Sequence, residues 1–322
     1  IYVDAGARLE GNVFNSALTF DFGEVAEVEM IGNILRGSIG FFRTMDQATV
    51  TMERNVFSQP ASGEIVLGLG STAPAVVSDN RLEGCPYLDG VLQVNGSGAV
   101  TIQDNAFRCS DSSRYGALAI KVNSNNPGVI EGNVFEGPYR YGGPNDAAAI
   151  QINAGAGIAV EDNMFHEWPV AVRVKGGAGA LTANTFFNNG HSNGIVVDGD
   201  GGTEFHQNCI LSTLEITNRT TPLDATLNWW GDPSGPFHDD NLDGEGWPID
   251  GGPVNYDPWL TDEADAPCNV VDLTLAGAEV VQSVQSLANG VPLVAEKAAL
   301  MRIYADSAAG SVSSVPAVVR GY

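Results

Sequence analysis

Asn133-Val134-Phe135 decides how this chain is read, because the same phrase, or a close variant, recurs along the first 230 residues. Upstream it appears as Asn12-Val13-Phe14, Asn33-Ile34-Leu35, Asn55-Val56-Phe57, Asn80-Arg81-Leu82 and Asn105-Ala106-Phe107. Downstream it appears as Asn163-Met164-Phe165, Asn184-Thr185-Phe186, Asn208-Cys209-Ile210 and Asn228-Trp229-Trp230. Successive Asn lie 20 to 30 residues apart, the length of one solenoid coil.

Aligning the copies on Asn exposes further columns. Three residues earlier stand Leu9, Met30, Met52, Val77, Ile102, Ile130, Val160, Leu181, Phe205 and Ala225; two residues later every position is Phe, Leu, Ile or Trp. Both columns must face a continuous core, since one coil buries its apolar side only by stacking on its neighbours. The intervening column is mostly polar (Glu10, Glu53, Gln103, Glu131, Glu161), the alternation of a strand with one face in water. A second strand precedes each of these, as in Leu92-Gln93-Val94-Asn95, Ile120-Lys121-Val122-Asn123, Ile150-Gln151-Ile152-Asn153 and Val172-Arg173-Val174-Lys175. Short Gly-rich turns join the two strands, whereas the segment after Asn-x-Phe varies in length, so long excursions leave from one edge. The Asn column itself is read as structural: Asn tolerates the left-handed backbone of a tight corner, and its amide can bond the coils above and below. The fold class is therefore all-β, a right-handed parallel β-helix of about ten coils stacked about 4.8 Å apart. Leucine-rich and helical repeats fail on spacing and on the period-two alternation.

Composition narrows the partners. Acidic residues outnumber basic ones 39 to 15, for a net charge of −24, which repels nucleic acid and anionic membrane. No run of 18 apolar residues offers a membrane span. The start at Ile1 without a signal peptide reads as a mature or trimmed product. Four Cys allow three pairings, and the repeat register favours Cys85–Cys109, in adjacent coils, and Cys209–Cys268, which would pin the exit segment to the rod. Such bridges imply a secreted or cell-surface location. In Asp239-Asp240-Asn241-Leu242-Asp243-Gly244-Glu245, oxygen side chains at alternate positions before Gly mimic the start of an EF-hand loop, with Asp250 in twelfth place. Asp239, Asn241, Asp243, Glu245 and Asp250 are thus candidate calcium ligands, and calcium is the one cofactor considered. An ordinary acidic turn is the competing reading.

Two stretches carry a resemblance. Leu227-Asn228-Trp229-Trp230-Gly231-Asp232-Pro233-Ser234-Gly235-Pro236, followed by Val254-Asn255-Tyr256-Asp257-Pro258-Trp259-Leu260, resembles the last coil and folded-back cap of secreted bacterial β-helix repeat proteins of the pectate-lyase-like superfamily. With the Asn-x-Phe coils the likeness covers about residues 1–260. It implies architecture more than activity, because the superfamily includes lyases, hydrolases, adhesins and proteins without chemistry. Trp229, Trp230, Trp247, Tyr256 and Trp259 would cover the exposed solenoid end, or serve as a sugar-stacking platform. The segments 278–285, 291–297 and 299–305 resemble the opening strands of an immunoglobulin-like surface module, too few for a complete sandwich, so the polypeptide is expected to continue past Tyr322. The expected division is 1–231 β-helix, 232–268 cap and linker, and 269–322 the start of an immunoglobulin-like domain.

No convergent catalytic set stands out, so the catalytic residues are unknown. The scarce basic residues gather on the outward face of the first strands, where register aligns Gln93, Lys121, Gln151 and Arg173, with Asn95, Asn123, Asn153, Lys175 and Asp198 beside them. Lys121, Gln151, Arg173, Lys175 and Asp198 are the candidate carbohydrate-binding residues; a solvated polar face is the plainer reading. Asp198, Asp200, Glu204 and His206 crowd one coil and offer acid/base or cation chemistry. The leading expectation is a non-catalytic extracellular or cell-surface module, a spacer, adhesin or carbohydrate-binding rod. Its partners would be a polysaccharide or cell-surface glycan, further domains of the same polypeptide, or other copies of it. The alternatives are a polysaccharide lyase or glycoside hydrolase acting on the first-strand face, and a subunit of an extracellular fibre.

Overall fold

In a computed structural model, residues 194–268 are described without a break. Before them the described residues are 2–3, 6–15, 18–22, 27–36, 39–42, 49–58, 67–69, 72–83, 91–95, 97–109, 118–123, 127–137, 147–153, 157–176 and 179–189, and after them 273–281 and 300–307. The chain divides into two units, Ile1–Cys268 and Asn269–Tyr322.

The first unit is an all-β parallel β-solenoid with three faces. The polar-alternating strand of each coil, such as Val100–Gln103, Gly128–Glu131 and Ile158–Glu161, stacks into an eleven-stranded parallel sheet that starts at Gly6–Glu10 and ends at Val254–Asn255. The Asn-x-Phe strands, such as Ala106–Arg108, Val134–Glu136 and Met164–His166, form a nine-stranded sheet. The first strands of the coils form an eight-stranded sheet from Leu67–Leu69 to Ile249–Gly251, and a three-stranded sheet of Tyr2–Val3, Leu18–Phe22 and Ile39–Phe42 precedes it. Among the described residues one face carries eleven strands, the next nine, and the third eight plus three.

The two apolar columns are the core. Met30, Met52, Val77, Ile102, Ile130, Val160, Leu181, Phe205 and Ala225 are completely buried, and so, to within 1% of their surface, are Leu35, Phe57, Leu82, Phe107, Phe135, Phe165, Phe186, Ile210 and Trp230. Identical side chains at identical positions stack. Phe107, Phe135 and Phe165 follow one another with ring centroids 4.8 Å apart and planes within 8°, which is the strand spacing itself. Gly-rich turns between the first and second strands are required by contact between rungs: a Cβ at Gly98 would lie 2.1 Å from the carbonyl oxygen of Ala73.

The Asn column works differently from the expectation. The left-handed residue at the corner is the one before each Asn. Gly11, Gly32, Arg54, Asp79, Asp104, Gly132, Asp162, Ala183, Gln207 and Leu227 all have φ between 54° and 66°. That reversal frees each Asn to turn inward and bridge coils. Asn133 is typical: its Nδ2 has the carbonyls of Ile102 and Glu131 and the Oδ1 of Asn163 at 2.9 Å, while its Oδ1 accepts from Asn105 N and Nδ2 at 2.9 and 3.0 Å. Nine of the ten, Asn33 to Asn228, are at most 2% exposed, so the column satisfies corner backbone that water cannot reach.

The C-terminal end of the solenoid is closed by aromatics. Trp230 and Tyr256 belong to the core and Trp259 packs against it, its Nε1 donating to the Pro233 carbonyl at 3.1 Å. Asp232 Oδ1 accepts from Ser234 N and Oγ at 2.8 and 2.6 Å, and Ser234 Oγ accepts from Glu245 N at 2.8 Å, tying the ends of the cap loop together. Cys209 and Cys268 form a disulfide, with Thr185 Oγ1 donating to the Pro267 carbonyl beside it. Cys109 is also disulfide-bonded, and its expected partner, Cys85, lies outside the described residues. The second unit contains an antiparallel pair, Leu273–Val281 with Leu300–Ser307, whose register shifts between Leu275 and Gly277. The segment 291–297 lies outside the described residues.

Candidate functional site

The outward side of the eight-stranded sheet brings the scarce basic residues together. Its central row runs, rung by rung, through Gln93, Lys121, Gln151, Arg173, Val196, Glu215 and Asp250. Lys121 and Arg173 are thus two rungs apart, about 10 Å at the strand spacing. A parallel row two positions along each strand, on the same side of the sheet, begins with Asn95, Asn123 and Asn153. Here Asn123 Nδ2 donates to Asn95 Oδ1 at 2.8 Å and Asn153 Nδ2 to Asn123 Oδ1 at 2.7 Å. Gln151 Nε2 crosses between rows to Asn153 Oδ1 at 2.7 Å. The second row continues through Lys175, Asp198 and Thr217. Unlike the Asn ladder of the core, this amide row is in water at Asn95 and Asn123, so its remaining donors and acceptors are available to a ligand.

Charge changes sign along the face. Lys121, Arg173 and Lys175 occupy its middle, and Asp198, Glu215 and Asp250 the C-terminal rungs. Arg173 is only 6% exposed, held between Gln151 and Val196, whereas Lys175 is exposed. Glu215 is half-buried and directly opposite Asp250. Burial first, and then the charges of Asp250 and Asp198, push its carboxyl above the usual range, with Arg173 pulling the other way. Glu215, two rungs along the row from the buried Arg173, is the group here closest to acid/base chemistry.

Sequence reading missed Glu215, although Leu214-Glu215-Ile216 repeats the alternation that exposed Gln93 and Lys121. It also placed Asp250 in a loop, while the structure places it in the strand Ile249–Gly251 at the end of this row. Asp250 nevertheless lines one cleft together with Asp239 and Asp240. Asp239, Asp243 and Glu245 are exposed, and Asn241 turns its amide inward, its Nδ2 donating to the carbonyls of Ser234 and Pro236 at 3.1 and 2.8 Å. Among the described residues no group of three or more His, Cys, Asp or Glu is placed to hold a metal ion. Asp198 accepts from Thr217 Oγ1 and Asn218 Nδ2 at 3.1 and 2.7 Å. Asp200 accepts from the backbone and hydroxyls of Thr220 and Thr221, which hold it far below the usual carboxylate range. His206 lies on another face, its Nδ1 3.1 Å from the Thr226 carbonyl and its Nε2 3.6 Å from Asp224. The crowded coil is therefore distributed over separate corners.

Two clefts open on the cap. One, about 650 Å³, has Phe237, His238, Asp239, Asp240 and Asp250 in its wall, with Phe237 48% exposed. The other, about 560 Å³, has Asp224, Asp240, Tyr256, Asp257 and Trp259. Burial together with Asp240 and Asp257 raises the Tyr256 hydroxyl above its ordinary value, so it stays protonated and able to donate. Neither cleft has Lys or Arg in its wall, so both disfavour anionic ligands. No helix among the described residues is long and apolar enough to cross a membrane. Set against protein-family models, curated proteins and solved structures, the chain matches none of them.

Proposed function

We propose that this chain is a non-catalytic extracellular or cell-surface module, a rigid rod whose first-strand face binds carbohydrate. The observation that carries the reading is the amide row Asn95, Asn123 and Asn153, bonded end to end and continued in register by Lys175. Hydrogen-bonding groups repeated at about 4.8 Å along a flat face suit an extended chain of hydroxyl-rich sugar units lying along the rod. Lys121 and Lys175 favour a sugar with a carboxylate or sulfate in the middle of the face, while Asp198, Glu215 and Asp250 disfavour one at its end. The right-handed, pectate-lyase-like identity, secretion from a bacterium and an immunoglobulin-like module from residue 269 onward belong to the same reading. So do the boundaries 1–231 and 232–268, and further domains or other copies of the chain as partners. The strong negative charge supports the expectation that nucleic acid and membrane insertion play no part.

A second reading, a polysaccharide lyase or hydrolase on the same face, is favoured by one observation: Glu215, with its raised pKa, shares a row with buried Arg173. A glycan-array screen, with each hit incubated and assayed for unsaturated or reducing sugars, separates the two. Binding lost in Arg173→Ala/Lys175→Ala, with no product, is expected. Product formation that is abolished in Glu215→Gln would replace the binding module with an enzyme. No binding and no product would leave a spacer or fibre subunit.

A further inference from the structure

We infer that the Cys209–Cys268 disulfide is a tension bypass: it delivers a pull on the segment beyond Cys268 directly to Cys209 and removes residues 210–267 from the load path. The inference extends the reading of the chain as a surface rod, because a rod that joins other domains or a distant ligand is pulled along its length.

The argument is one of connectivity. Between the two cysteines lie the last rungs of the solenoid, Leu214–Thr217, Leu223–Asp224, Ile249–Gly251 and Val254–Asn255, together with the aromatic cap. Val254–Asn255 is a two-residue edge strand, and the chain after it is held through bonds such as Leu260 N to the Asn228 carbonyl at 3.0 Å. A pull on residue 268 without the disulfide would meet these bonds one at a time and peel the rungs in sequence, the weakest geometry for hydrogen-bonded strands. With the disulfide the pull arrives at Cys209, which is completely buried. There the chain lies beneath another turn: Cys209 N donates to the Asn184 carbonyl at 2.8 Å, and Asn208 N to Asn228 Oδ1 at 2.8 Å. Moving Cys209 requires several buried contacts to break together. The peeled segment, 59 residues in sequence separation with its ends 5.1 Å apart between Cα atoms, would extend by about 200 Å if released.

The test is single-molecule stretching of the full chain by its two ends. Oxidised wild-type protein is compared with Cys268→Ser and with folded wild-type protein whose thiols have been reduced and verified by mass spectrometry. Cys268 is partly exposed, and the reduced arm serves should the variant fail to fold. The expected result is an added extension step of about 200 Å, at the lowest force of the trace, in the variant and the reduced protein but not in the oxidised one. The same step in oxidised protein, or no such step after reduction, would overturn the bypass. The readout does not involve glycan, so a failed glycan screen leaves it standing, and its own failure leaves glycan binding untouched.

Discussion

Replacing Asn133 with alanine tests whether the Asn column holds the rod together or merely accompanies it. The side chain sits mid-ladder, completely buried, with five hydrogen-bond contacts within 3.0 Å. Alanine keeps the backbone bond from residue 133 N to Asn163 Oδ1 and removes those five. The heaviest loss is at the Asn105 N–H, which donates to Asn133 Oδ1 in the interior and would lose that acceptor. A stranded buried donor costs about 1–3 kcal/mol, and each remaining contact contributes up to about 1 kcal/mol net. Three acceptors share only two hydrogens on Nδ2, so the contributions do not sum fully, and a total near 3–5 kcal/mol is expected. Asn12 supplies the control. It lies on the first rung, exposed, with its Nδ2 3.0 Å from the Glu10 carbonyl and 3.2 Å from Asn33 Oδ1, so Asn12→Ala should cost under about 1 kcal/mol. Urea unfolding followed by circular dichroism gives both values. Amide exchange should in addition show the loss around residues 102–135 in Asn133→Ala and only near residue 10 in Asn12→Ala. Equal effects at the two positions would refute the argument, because the difference rests on burial and on having a coil on each side.

Three other outcomes are expected. Glu215 has a raised pKa, so the native state favours its protonated form; its stabilising contribution is full below the ordinary value of about 4.5 and is lost as pH rises through the raised value. Glu215→Gln should therefore melt higher than wild type at neutral pH and lose that advantage near pH 4, as read by differential scanning calorimetry across pH. Gly235 has φ +81° and a Cβ there would lie 2.5 Å from the Trp259 ring, so Gly235→Ala should cost about 2 kcal/mol or more in chemical denaturation and increase the exposure of Trp259 to a fluorescence quencher. Removing the disulfide by Cys268→Ser should cost about 4 kcal/mol by the loop-entropy relation for 59 residues, measured as the shift in the denaturation midpoint against oxidised wild type.

The sequence alone determined the solenoid. A 20-to-30-residue period, an alternation of two and a repeated Asn admit few solutions, because each coil buries its apolar side only against its neighbours. The core could therefore be named column by column, and the preferred pairing of Cys209 with Cys268 is the one that forms. Backbone handedness at the corner was not legible. Gly, Arg, Asp, Ala, Gln and Leu share the left-handed position before Asn, and what holds each there is the Asn side chain bonding to coils more than twenty residues away. The site divides in the same way. Lys121, Gln151 and Arg173 align because register follows from the repeat. Glu215 became prominent only when the cap folded back and placed Asp250 opposite it, since neither residue's burial nor its neighbour's charge is a property of the local sequence. Asp250 shows the difference most directly: its spacing from Asp239 resembles a calcium loop, but its place in the strand Ile249–Gly251, in register with Glu215, is set by the hydrogen bonds of the last rung.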